Sequence, residues 1–290
     1  QWEEGDADGE DSNVSKVKNE QSLGQSEVLG RLNMIEYGVF IQSGLRIAGE
    51  AEAVLYDTAG CAWIPPELRE GWGEIEAAAG GPLPELVTEA DLRGDLHTHS
   101  NWSDGRNEIG VMARAARERG RTYIALTDHT QSLTIAGGLT PERFRARSAE
   151  IDRVNAELDG IRVLSGAEVD ILANGSLDLP DECLASLEVV VASVHTFLDQ
   201  PKDVITRRVI DAMRSPHVDS LAHPTSRRLH RRGETNLDID ALIAAADRTG
   251  PALHSNSTPK RPDLKPTQAP RAPPPPPPPT HDTDPHAPPR

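Results

Sequence analysis

From about residue 91 onward, short apolar runs alternate with longer segments in which apolar residues recur at helical spacing. The runs are Asp95-Leu96, Tyr123-Ile124-Ala125-Leu126, Ile161-Arg162-Val163-Leu164, Val189 to Val194, Ser220-Leu221-Ala222 and Ala252-Leu253. Most are spaced by about 30 residues, the length of a βαβ repeat. Helices fit between them. Asn107 is placed to cap one that ends near Gly120. Thr140-Pro141-Glu142 is a start signal, followed by Phe144, Ile151, Val154 and Leu158 on one face. Asn236 is placed to cap a third, with Ile239, Leu242, Ile243 and Ala246 on one face and Gly250 at its end. Buried-type strands alternating with helices predict an α/β fold with a parallel sheet or barrel.

Residues 28–90 follow another pattern. Met34 to Phe40 reads as one strand, and Leu45 to Ala48 as a second after a turn at Ser43-Gly44. Trp63-Ile64-Pro65-Pro66-Glu67-Leu68-Arg69-Glu70 reads as extended chain or turn, because proline biases its predecessor away from helix. So few apolar positions make a weak core.

Composition changes the picture at the ends. Residues 1–27 are acidic with almost no apolar periodicity, and residues 259–290 are rich in proline, including the unbroken run Pro273 to Pro279. Neither end buries enough apolar surface to offset its ordering entropy, so both are expected to be disordered. The expected division is a tail at 1–27, a small region at 28–90, a β/α domain at 91–258 and a tail at 259–290. Net charge is −16, which provides no global basic field for nucleic acid, so any polyanion must meet a local patch or bound cations. Two cysteines make no disulfide framework. No signal peptide and no run of about 18 apolar residues is present. A soluble cytoplasmic protein with no membrane partner is the expectation.

The chemistry gathers at the ends of the predicted strands. His97 and His99 flank a single Thr98 and therefore point the same way in a strand. His129, Glu168, His195 and His223 each stand at or just past the end of a later apolar run, and Asp104 lies in the loop after His99. Imidazole and carboxylate are the donors taken by zinc, manganese and iron. The C-terminal strand ends of a β/α barrel converge on one face. Seven ligand-type side chains recurring there point to a metal site. Asp104, in Ser103-Asp104-Gly105, fits a turn as well as a ligand. Asp128 is expected to partner a histidine from outside the ligand set. His254 has a suggestive strand-end position, His217 reads as an ordinary exposed residue, and His281 and His286 fall in the tail. Arg227, Arg228, Arg231 and Arg232 form the densest positive cluster and follow His223 directly, where they could hold phosphate; the alternative is a solvated loop.

These motifs resemble a known family. His97-Thr98-His99, Thr127-Asp128-His129, Gly166-Ala167-Glu168-Val169-Asp170, Ala192-Ser193-Val194-His195 and Ala222-His223-Pro224 resemble the successive motifs of the PHP (polymerase and histidinol phosphatase) domain. Ile64 to Glu70, Gly73 to Ala78 and Gly94 to His97 are similar to the bacterial family X DNA polymerases, in which a PHP domain follows the palm and thumb. Glu36 to Phe40 resembles the end of the palm, so 28–90 would be a remnant of that region. The resemblance implies a distorted (β/α)7 TIM-like barrel with up to three divalent ions, zinc or manganese. It implies that His97, His99, Asp104, His129, Glu168, His195 and His223 are ligands, with Glu168 bridging two ions and Glu168, His97 and His195 at the catalytic centre. It implies a 3′–5′ exonuclease or related phosphoesterase acting on DNA 3′ ends, as in DNA repair.

The chain also departs from the family. The Thr-Asp-Ala-His-like motif of the last strand is not found, so that strand is expected to be missing. The polymerase's acidic catalytic motif is absent, so polymerase activity is not expected. A fragment flanked by out-of-frame or unrelated sequence accounts for both ends; a polyproline II tail that binds a partner module is the alternative. Two other functional readings stand beside the exonuclease: an inactive product with an incomplete metal site, and a phosphatase for a small phosphate ester of the histidinol-phosphate type.

Overall fold

The βαβ repeat is realised from Gly94 onward. In the computed structural model, which describes residues 32–35, 38–41, 44, 46–48, 51–69, 71, 73–228, 231–256, 263–264 and 280–282, the chain divides into two compact units, Gln1–Leu86 and Val87–Arg290. The acidic tail and most of the proline-rich tail lie outside the described residues.

In the first unit, strands β1 (Leu32–Ile35), β2 (Gly38–Ile41) and β3 (Arg46–Ala48) form an antiparallel meander. The single strand expected over Met34 to Phe40 is thus two strands, paired from Leu32↔Ile41 to Ile35↔Gly38. A largely apolar stretch interrupted only by Glu36 and Gly38 does not by itself distinguish one strand from two. Helices α1 (Glu52–Thr58) and α2 (Glu74–Gly80) follow, with a 3-10 turn at Pro66–Leu68 between them. Arg69 organises this stretch. It donates to the Ile64 carbonyl and makes a two-pronged contact with Glu52 at 2.7 and 2.8 Å. Among the described residues, the unit buries few apolar side chains, chiefly Val39, Ile64 and Ala78.

The second unit is a parallel α/β structure. Strands β4 (Gly94–Thr98), β5 (Tyr123–Leu126), β6 (Arg162–Asp170), β7 (Val189–Ser193), β8 (Ser220–Leu221) and β9 (Ala252–Asn256) lie side by side in chain order, all parallel. They form the curled sheet of a (β/α) barrel. Helices α3 (Ile109–Glu118), α4 (Pro141–Glu157), α5 (Asp181–Leu184), α6 (Lys202–Met213) and α7 (Ile239–Thr249) lie between strands. The last position, expected to be vacant, is taken by a three-residue strand, β10 (Thr280–Asp282), parallel to β9 with Thr280↔His254 and Asp282↔Asn256 in register. Its backbone also lies within 8 Å of β4, so the two ends of the sheet approach each other as barrel closure requires. A polar triplet after a proline run carries no strand signal; backbone pairing supplies it here.

Local signals explain the limits of two helices. Thr140 caps α4 by accepting from Arg143 N, with Pro141 in the first turn. Gly250, at φ 100°, ends α7. Two expected caps shift. Asp238, not Asn236, caps α7 by accepting from Ala241 N at 3.1 Å, since Asp caps as well as Asn. Glu108 rather than Asn107 stands before α3, without a side-chain cap. The main core, between the strands and α4, α6 and α7, includes Phe144, Val169, Val190, Ile205, Met213 and Leu242. A smaller cluster of Ala125, Val189, Val191 and Ala222 lies apart from it. Cys61 and Cys183 are free thiols. Among the described residues, no helix is long and apolar enough to cross a membrane.

Candidate metal centre

Strand order brings the predicted residues together. β4 delivers His97 and, one step beyond it, His99. β6 delivers Glu168. The segments just past β5, β7 and β8 deliver His129, His195 and His223. Both carboxylate oxygens of Glu168 are engaged. Oε2 lies 3.3 Å from His97 Nε2, 3.5 Å from His99 Nε2 and 3.0 Å from His129 Nδ1. Oε1 lies 3.2 Å from His195 Nε2 and 2.8 Å from His223 Nε2. Five imidazoles therefore surround one carboxylate. All are buried except His195, whose side chain is 14 % exposed.

Asp104 joins them from a loop. Its Oδ1 stands 3.8 Å from His99 Nδ1 and 3.6 Å from His129 Nε2, so a place in the site, not only a turn, describes it. The loop folds tightly: Gly105 N donates to Ser100 O, and a Cβ at Gly105 would sit 2.3 Å from the His99 carbonyl oxygen. Asp128 holds this loop. It accepts from Ser100 N, Ser100 Oγ and Ser103 Oγ and pairs with the buried Arg147 at 2.9 Å. The expectation that Asp128 partners a histidine is therefore corrected: a buried carboxylate is satisfied by its nearest donors, and those are the two serines and the arginine.

The histidine's carboxylate partner is Asp170, whose Oδ1 lies 3.0 Å from His195 Nδ1. It had a readable signal, because Asp170 is two residues past Glu168 on one strand and so faces the same side. That bond orients the ring and leaves Nε2 turned toward Glu168. Asp170 in turn accepts from Ser132 Oγ, and Thr130 Oγ1 accepts from Asp170 N. His254 also belongs to the neighbourhood: it is buried, and its ring centroid lies 5.6 Å from that of His97. It lies in the middle of β9 rather than at the strand end expected from the sequence. The ring centroids of His99 and His129 are 4.4 Å apart, and those of His195 and His223 are 5.4 Å apart.

The arginine tract forms a tight loop after His223. Arg228 and Arg232 pair across it, and Arg232 Nε and Nη2 both donate to Ser226 O. Arg227 Nε stands 3.9 Å from Glu234, while Arg228 and Arg231 are exposed. Leu229 and His230 lie outside the described residues.

Burial disfavours charge on Glu168, yet the imidazoles of His129, His195 and His97 hold its carboxyl well below the usual carboxylate range. Burial likewise opposes charge on His195, but Glu168 and the hydrogen bond to Asp170 raise its pKa to about 10. The field that holds a proton there also attracts a divalent cation. Ligand atoms from His97, His99 and Glu168, from His99, Asp104 and His129, and from His129, Glu168 and His195 fall within 4.8 Å of one another in each set. Burying this many imidazoles around one carboxylate is costly unless they are paired or bind metal. The donor set is nitrogen and oxygen, which fits zinc or manganese. Glu168, His99 and His129 each belong to two of the three sets.

A curled parallel α/β sheet with histidines and carboxylates converging on its C-terminal strand ends defines an α/β barrel with a candidate metal site. The chain carries a PHP domain, matched over residues 95–237. It is 43% identical over 79% of its length to the DNA polymerase/3′-5′ exonuclease PolX of Bacillus subtilis, and spans 40% of that protein. It is 30% identical over 56% of its length to a probable phosphatase of Acetivibrio thermocellus, covering 64% of it. Among solved structures, a histidinol phosphate phosphatase of Lactococcus lactis, complexed with zinc, L-histidinol and phosphate, matches 68% of this chain and 88% of its own at 16% identity and a TM-score of 0.45.

Proposed function

We propose that this chain is a metal-dependent phosphoesterase that removes nucleotides from DNA 3′ ends. The observation that carries the reading is the Glu168 carboxylate, buried and met on both oxygens by five imidazoles. Divalent ions held by His97, His99, Asp104, His129, Glu168, His195 and His223 would supply Lewis-acid activation of water and charge neutralisation at the phosphoryl group. Glu168, with an oxygen toward each group of histidines, has the position expected of a bridging ligand. Asp170 keeps the His195 Nε2 lone pair directed inward. Asp128, through Ser100 and Ser103, sets the loop that presents Asp104. Arg227, Arg228, Arg231 and Arg232 are proposed as phosphate contacts, with the exposed Arg228 and Arg231 meeting the strand and Arg232 fixing the loop. The similarity to PolX over 79% of the chain supports a DNA end as substrate. Free thiols at Cys61 and Cys183 support a cytoplasmic setting.

A second reading, a phosphatase for a small phosphate ester, is favoured by the 30% identity to a probable phosphatase. The test is metal content together with manganese-dependent nucleotide release from a labelled single strand, set against release of phosphate from a small monoester, in the protein and in His97→Ala. Bound metal and nucleotide release, both lost in the variant, support the proposal. Phosphate release from the monoester alone would replace it with the second reading. No metal and no hydrolysis would mean an inactive centre.

A further inference from the structure

Among the described residues, two exposed large apolar side chains, Ile135 and Phe197, lie on segments between a ligand-bearing strand and the next long helix, and Phe197 has the more constrained setting. It is 61 % exposed, whereas Phe144 is 1 % exposed. A single exposed apolar residue needs no explanation by itself. Phe197 differs in three respects. It stands two residues past His195, so its Cα lies within about 7.6 Å of that of a metal-site histidine. Its backbone is left-handed, with φ 53°, a conformation that a bulky residue adopts only when its surroundings impose it. The loop around it is clamped. Arg208, buried on α6, donates through Nη1 to Thr196 O and to Gln200 Oε1, each at 3.0 Å, and through Nε and Nη2 to Leu172 O and Ile171 O. Leu198, the next residue, packs on the main core. The chain thus tucks one apolar side chain in and holds its aromatic neighbour out, at the rim of the metal face. The other such residue, Ile135, lies on the loop that follows His129 and is 92 % exposed.

We propose that Phe197 is a stacking platform for the 3′-terminal nucleobase of a single strand, setting that base against the rim while its phosphodiester reaches the metal face. Every base presents a π-face, so stacking holds an end without reading its sequence. A small phosphate ester has no base to place there. This inference rests on the DNA-end reading above and narrows its substrate to an unpaired, base-bearing terminus.

The experiment compares two manganese-dependent substrates: a single-stranded oligonucleotide with a natural 3′-terminal base, and the same strand ending in an abasic tetrahydrofuran unit. The protein, Phe197→Ala and Phe197→Trp are measured on each. The expected result is that the unsubstituted protein has a KM for the abasic end higher by on the order of tenfold. That ratio collapses toward one in Phe197→Ala and survives in Phe197→Trp. A 2-aminopurine placed at the terminus should lose fluorescence on binding the protein and Phe197→Trp, and lose less on binding Phe197→Ala. A ratio near one in the unsubstituted protein, or Phe197→Trp behaving like Phe197→Ala, overturns the inference while leaving the exonuclease reading intact. Hydrolysis of a small monoester with no release from either strand overturns both.

Discussion

Replacing Arg147 with methionine should destabilise the barrel unit severely and weaken the metal centre from beneath. Arg147 and Asp128 are both fully buried, with Nη1 2.9 Å from Oδ2, and the guanidinium also donates to the Gly166 carbonyl and lies over the Phe144 ring. Burial pulls the Arg147 pKa down, and Asp128 opposes it. Arg147→Met fills similar volume but leaves the Asp128 carboxylate in the interior without its cation. Removing one partner of a buried pair costs about 3–5 kcal/mol, against a total of about 5–15 kcal/mol for a typical domain. With a urea m-value of about 2 kcal/mol/M, the midpoint should fall by about 2 M. The assay is urea unfolding with chelator present, so that metal binding adds nothing to either protein. Adding Asp128→Asn should recover part of the loss, because the stranded charge goes while an oxygen remains for Ser100 and Ser103. A fall of less than about 0.5 M, or a double variant no more stable than the single one, would refute the reasoning.

The remaining predictions concern the site itself. Asp170→Asn should lower metal affinity by about 10- to 100-fold, because an amide can turn its NH2 toward His195 Nδ1 and so no longer fixes the tautomer as a carboxylate does; unchanged affinity in a chelator-competition titration would show that the bond orients nothing. Metal binding should strengthen by up to about tenfold per pH unit from pH 7 to 9, because a proton must leave His195, whose pKa stands near 10, before it can ligate; a flat profile contradicts this. Without metal, His195 adds stability that is full below its unfolded value of 6.5 and lost as pH rises through about 10. Glu168, whose pKa is depressed, adds stability present above 4.5 and lost as pH falls through its lower folded value. Melting of the metal-free protein should therefore be most resistant between those two unfolded values, and a maximum well above pH 7 would contradict the assignment. Loading with zinc or manganese should raise the melting temperature, and no shift with either would mean that the cluster binds no ion.

The candidate centre was legible in the sequence because the residues gathered there sit where period-two alternation and strand ends meet, and both are local signals. His97 and His99 share a side because one residue separates them. Glu168, His195 and His223 each end a visible apolar run. Where the reading fell short, partner choice was decided in three dimensions. Nothing local says that Asp128 faces Ser100, Ser103 and Arg147 rather than a histidine, since those contacts span up to 28 residues. Asp170 was readable from alternation, but its partner was not. The split of Met34 to Phe40 into two strands, and the seating of Thr280–Asp282 beside β9, depend on backbone pairing that carries no composition signal.

Backbone strain gathers on the same face as the buried charge. Among the described residues, the non-glycine positions with positive φ are Phe197, His223, Ser226 and Leu264. The first three lie just past β7 and β8. His223 holds φ 30° ahead of Pro224 while placing Nε2 2.8 Å from Glu168. Ser226 returns its N–H to the His223 carbonyl, and Arg232 fixes the Ser226 carbonyl. Strain of this kind costs about 1–3 kcal/mol at each residue and persists only where surrounding bonds over-determine it. In this chain those bonds come from Arg208 on one loop and Arg232 on the next. The helices and strands below pack apolar faces against the core, and α4 and α7 carry side-chain caps. Leu264 apart, the conflicts lie at the strand ends that carry the histidines, where strain of this kind points to a functional site rather than to the scaffold.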